Sequence, residues 1–138
     1  MSHYKSNLRD IEFNLFEVFG RAEVLGTGLF EDLDMVTAKS ILSEIDRMAR
    51  EDLAVSFAEA DRTPPVYDPE ACTVTMPPGF AKSYKTWMDS EWFRLQLPVE
   101  LGGQPAPPSL VWSTAELVLG ANPPVWMYSA GPNFGSIV

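Results

Sequence analysis

Leu97-Pro98-Val99-Glu100-Leu101-Gly102-Gly103 and, after a helix-like run, Gly120-Ala121-Asn122-Pro123-Pro124-Val125-Trp126-Met127-Tyr128 set the reading of this chain. Between them Pro107-Pro108 opens a helix, because proline is tolerated in a first turn whose N–H groups have no intrahelical partner. Leu110, Val111, Thr114, Leu117 and Val118 recur at helical spacing and are expected to face inward, with Gly120 at the C-terminal cap position. Asn122 is expected to cap the next helix, with Pro123 at its first position. The chain then closes on Phe134-Gly135-Ser136-Ile137-Val138, apolar and without a polar tail. An apolar face that stops mid-pattern has nothing to pack on, so the pattern predicts the front portion of something larger.

Upstream the apolar spacing is helical almost throughout. Leu8, Ile11, Leu15 and Val18 form one stripe, broadened by Phe13, Phe16 and Phe19, with Ser6 or Asn7 as cap and Gly20 as the stop. Residues 21–32 are Gly-rich and irregular. The spacing predicts a long helix over about 35–60, capped by Asp34 and stopped by Thr63-Pro64-Pro65. Ile41, Ile45, Met48, Ala49, Leu53 and Phe57 share its inner face; Lys39, Ser43, Asp46, Arg47 and Arg50 take the other. Residues 66–75 are turn-rich, with Asp68-Pro69 as a turn, and hold at most a small hairpin. Pro77-Pro78 opens a third helix, on which Phe80, Tyr84, Trp87 and Met88 share a stripe. The expected fold class is all-α, with about five helices and a turn-rich or hairpin segment near 66–75.

Composition bounds the function. At 138 residues the chain can bury one core, and 46% apolar with 21% charged residues argues against disorder. A net charge of −9 repels phosphate backbones and anionic lipid, so no nucleic-acid partner is expected. The single cysteine, Cys72, excludes an internal disulfide and a cysteine-based metal site. Residues 1–10 are polar and do not fit a signal peptide, and no apolar run is long enough to span a membrane. A cytoplasmic chain is expected.

Residues able to carry chemistry are few. His3 reads as a solvated tail residue, and Cys72, with no neighbouring His or Lys, as a plain partly buried thiol. Glu100 precedes the Gly102-Gly103 turn; Glu116, inside an apolar helix, is the one carboxylate weighed as an acid or base. Its preferred reading is a cap or a salt bridge with an arginine. There is no phosphate-binding glycine motif. No catalytic, cofactor-binding or metal-ligating residue is therefore assigned.

Four segments together resemble the N-terminal helical domain of the acyl-CoA dehydrogenases. The first is Leu97 to Gly103 followed by Glu116-Leu117, similar to that family's Pro-Glu-x-x-Gly-Gly turn and Glu-Leu helix. The second is Tyr4-Lys5-Ser6-Asn7-Leu8-Arg9-Asp10 with Phe13-Asn14-Leu15-Phe16-Glu17, similar to the short N-terminal extension of long-form bacterial members. The others are Asp61-Arg62-x-Pro64-Pro65 and Asn122-Pro123-x-Val125-Trp126-Met127-Tyr128. The resemblance covers residues 1–138, with 1–32 as extension and 33–138 as helical core.

The resemblance implies the rest. The family joins this helical domain to a β-domain and a C-terminal bundle, both absent here. FAD lies between those two parts and a neighbouring subunit. A glutamate in the C-terminal half removes the α-proton of the acyl thioester, and the β-hydride passes to flavin N5. The flavin-contacting Thr-Glu-Pro segment and that glutamate are missing from this sequence, so no cofactor is expected on the chain alone. By position the last helix would present Trp126, Met127, Ala130 and Phe134 to a fatty acyl chain, although Gly131-Pro132 interrupts it. The same side chains can equally serve core packing. Two functions follow as expectations: part of an FAD-dependent acyl-CoA dehydrogenase, inactive alone, or a non-catalytic partner that completes a separate dehydrogenase chain. The apolar C-terminal segment is expected to self-associate or to meet a missing dehydrogenase portion.

Overall fold

A computed structural model describes residues 3–137, and it is helical as the spacing predicts. Met1, Ser2 and Val138, which the predicted domain and apolar tail include, lie outside the described residues. Helix α1 (Leu8–Glu12) runs into a π-helical turn at Phe13–Val18. Two 3₁₀ turns, Arg21–Val24 and Gly28–Phe30, cross the irregular stretch. Next come α2 (Met35–Met48), a second π turn (Ala49–Leu53) and α3 (Ala54–Arg62), which make one continuous helical run. A hairpin of β1 (Val66–Asp68) and β2 (Thr73–Thr75) follows, paired antiparallel with Tyr67 opposite Val74. Helices α4 (Pro78–Asp89), α5 (Pro108–Ala121), α6 (Pro123–Tyr128) and α7 (Gly131–Gly135) complete the described residues.

The caps explain most boundaries. Asn7 accepts from the Asp10 N–H and starts α1. Asp34 accepts from the Thr37 N–H at 2.7 Å and starts α2, and that bond holds its carboxyl below the usual range. The long helix carries its core residues at Ile45, Ala49 and Leu53, while Phe57, expected on the same face, is only half-buried and lies outside the core. Each step of four overshoots a turn of about 3.6 residues, and the wide π turn takes up the excess so that the stripe stays on the core. Ile45 and Leu53 are completely buried, as are Leu42, Val118 and Val125 across the helix layer. Removing side chains of this size from water is worth about 1.5–3 kcal/mol each.

Several expectations are corrected. Val18 is 53% exposed and Phe19 is exposed too, because the π turn rotates the first stripe off the core after Phe16; Phe13, at the start of that turn, is exposed as well. Asp46, expected on the polar face, is 5% exposed, with Tyr4 of the N-terminal arm close enough to feel its charge. Gly120 does not end α5, which runs to Ala121. The stop is Pro123, which forces Asn122 out of the helical region (φ −159°, ψ 86°). Cys72 is exposed, not partly buried, at the hairpin tip with φ +52°. His3 is exposed, but its ring stands 4.7 Å from that of Phe57. Glu116 is exposed and forms no ion pair among the described residues, so the arginine bridge is not there.

Candidate functional site

The Pro98 to Gly103 turn is built as its residues require. Val99–Leu101 is one 3₁₀ turn, Gly102 takes a left-handed φ of +75°, and the Gly103 N–H donates to the Pro98 carbonyl at 3.0 Å. Gly103 lies so close to Leu97 that a Cβ would fall 2.0 Å from its carbonyl oxygen. The two glycines thus answer different needs, one conformational and one steric. Beyond the turn, the Gln104 and Ala106 N–H groups donate back to the Arg94 and Leu95 carbonyls and lead the chain into α5.

The four residues predicted to face an acyl chain sit on α6, α7 and the bend between them. Trp126 is half-buried, its ring 6.1 Å from that of Trp87 and inclined by 51°. Ala130 is half-buried in the bend, while Met127 and Phe134 are 70% and 66% exposed. The helix breaks between Tyr128 and Gly131. Pro132 has no N–H to give the Tyr128 carbonyl four residues back, and the Tyr84 hydroxyl donates to that carbonyl instead, at 3.4 Å. α6 thus offers one buried aromatic side and one open apolar side.

A groove of about 260 Å³ runs along a different side of α6. Its walls include Phe57 and Ala60 of α3, Pro64, Met76, Phe80 of α4 and Tyr128, and Asp61 is its charged member. None of Trp126, Met127, Ala130 and Phe134 lines it. The sequence signal for this groove is the set of prolines that end α3 and begin α4 and α6. They stiffen its rim, yet in sequence they read only as stops.

Beyond the groove, Tyr4 packs against α5, where a Cβ on Gly120 would meet its ring carbon Cε2 at 2.7 Å. Burial pushes the Tyr4 hydroxyl up from 10.0 to about 12, the Asp46 and Glu116 carboxylates add to the rise, and Arg50 opposes it. Arg50 Nε donates to Asp46 Oδ2 at 3.0 Å. On the solvated face Arg47 binds Glu44 at 2.6 Å and Glu51 at 3.0 Å and holds the Glu44 carboxyl below its usual range. Such surface pairs contribute little to stability.

This is a helical layer with a Gly-Gly turn, a capped long helix and an apolar C-terminal helix, and it contains no group of three or more His, Cys, Asp or Glu poised for a metal among the described residues. No described helix is long and apolar enough to cross a membrane. No family model matches the chain. All 138 residues align at 46% identity with the broad-specificity linear acyl-CoA dehydrogenase FadE5 of Mycobacterium tuberculosis, and the chain spans 23% of that protein's length. Over its whole length the chain is similar to part of that acyl-CoA dehydrogenase.

Proposed function

We propose that these residues are the N-terminal helical part of an FAD-dependent acyl-CoA dehydrogenase, acting on fatty acyl-CoA thioesters in the cytoplasm. Residues 1–32 are its extension and 33–138 its helical core. The observation that carries this reading is the 46% identity over the whole chain. In this reading Trp126, Met127, Ala130 and Phe134 contribute to the wall of the acyl-chain pocket. The open apolar side of α6 and α7 supports it, because methylene groups are held by apolar surface and not by hydrogen bonds.

The residues present do not fit a flavin. Its pyrophosphate would meet Asp61 in the apolar groove, and elsewhere Glu51, Asp52 and Glu59 with Lys82 opposing them. No step of hydride or proton transfer is therefore derived on this chain. Proton abstraction and flavin binding fall to other parts of the complete enzyme.

The test is a chimera. Replacing the matching stretch of the mycobacterial relative with these residues should leave a flavin-loaded protein that still oxidises linear acyl-CoAs. A folded, yellow chimera without turnover would contradict the reading. It would favour the second one, in which the chain is a non-catalytic partner for a separate dehydrogenase.

A further inference from the structure

α6 leaves α5 through a single extended residue, Asn122. The expected cap is not made: the Asn122 side chain bonds none of the first N–H groups of α6. It is completely buried and points across the layer to the π turn. Its Nδ2 donates to the Leu53 carbonyl at 3.0 Å and to Ser56 Oγ at 3.1 Å. Ser83 Oγ of α4 donates to the Asp52 carbonyl at 2.6 Å and stands 2.8 Å from Ser56 Oγ. With the Ser83 proton committed to Asp52, Ser56 is the donor between the two hydroxyls. A directed chain results, from Asn122 to Ser56 to Ser83 to the carbonyl at the end of the π turn.

The carboxamide orientation follows from chemistry. The Leu53 carbonyl can only accept, so the NH₂ side must face it. Oδ1 is then left buried with no hydrogen-bond partner among the described residues. Burying it unpaired is unfavourable, and the two bonds from Nδ2 together with the helix break are what keep the side chain there. The wide turn is what brings Asp52 and Leu53 to the end of the irregular segment that these side chains read.

We infer that Asn122 is a positioning residue: its bonds to Leu53 and Ser56 fix the direction in which α6 leaves α5, and so where Trp126 and Met127 are presented. The functional weight of this inference rests on the acyl-pocket reading of α6. The geometric part stands on the chain alone, so the two fail separately.

The Trp87–Trp126 pair supplies the readout, since two indoles this close and inclined produce an exciton couplet in circular dichroism. The couplet is assigned by its loss in Trp126→Phe. Asn122→Ala should lose most of it while the helical signal stays. Leu117→Ala, a buried change on α5 that touches none of these hydrogen bonds, should keep it despite lower stability. If Asn122→Ala does not fold, Ser83→Ala decides, and a partial loss is expected. A couplet unchanged in the folded variant, or lost equally in Leu117→Ala, would overturn the inference. So would a spectrum that Trp126→Phe leaves unaltered, since the ring geometry itself would then be wrong.

Discussion

Tyr4 lies against Gly120 of α5 so closely that a single methyl group there would stand 2.7 Å from its ring. The contact pins the N-terminal arm beside Asp46 and Glu116, two carboxylates that disfavour the tyrosinate. A raised pKa on a neutral acid means that folding favours the protonated form. The contribution of Tyr4 to stability is therefore fully present below pH 10 and is lost as pH rises towards 12. Stability measured by denaturation across that window should fall more steeply in the parent chain than in Tyr4→Phe. Gly120→Ala should expel the ring and return the Tyr4 titration, followed by ultraviolet absorbance, towards 10.

The two turn glycines should respond in a fixed order. Gly102→Ala meets no atom within 4 Å and bears only the left-handed backbone, roughly 1–2 kcal/mol. Gly103→Ala drives a methyl into the Leu97 backbone, which cannot swing aside as a side chain can. Its cost should exceed that of Gly102→Ala and reach about 3 kcal/mol. Urea unfolding of the two variants checks the order, and equal costs would contradict the steric argument.

The open side of α6 and α7 should make the chain self-associate. Met127, Tyr128, Phe134 and Ile137 are all exposed, and no charge lies among residues 125–137. Cutting the chain after Gly120 would remove Asn122 and Val125, both completely buried, so point changes are the cleaner probe. Sedimentation equilibrium should show concentration-dependent oligomers that Met127→Lys and Phe134→Glu weaken together. A clean monomer at high concentration would support the partner-subunit reading.

The isolated chain should show no acyl-CoA dehydrogenase turnover with added FAD, acyl-CoAs and an artificial electron acceptor. Turnover above a no-protein control would require a base and a flavin site within these residues.

Most of the fold was legible because it is written in local signals. Asp34 and Asn7 cap helices where their side chains reach an N–H three residues on, and Pro64, Pro77 and Pro108 bound helices where a missing N–H demands it. The π turns were not legible, since one extra residue in a turn changes the face without changing residue types. Val18 was misplaced for that reason. Asp46 is buried because the N-terminal arm folds onto it from far away in sequence, and Gly120 is not the helix end because Pro123 sets the stop after Ala121. Asn122 was read as a cap, a local role for that residue type, while its actual partners Leu53 and Ser56 come from another helix. Ser56 and Ser83 were the available hint: two small polar residues on otherwise apolar stripes.

The account stands most directly on the acyl-facing role of α6 and α7. In the chimera with the mycobacterial relative, Met127→Ala and Phe134→Ala should shift the preferred acyl-chain length, measured as kcat/KM over a series of linear acyl-CoAs, with little change for the shortest substrate. A profile that scales down uniformly, or does not move at all, would contradict the claim that these side chains meet the acyl chain.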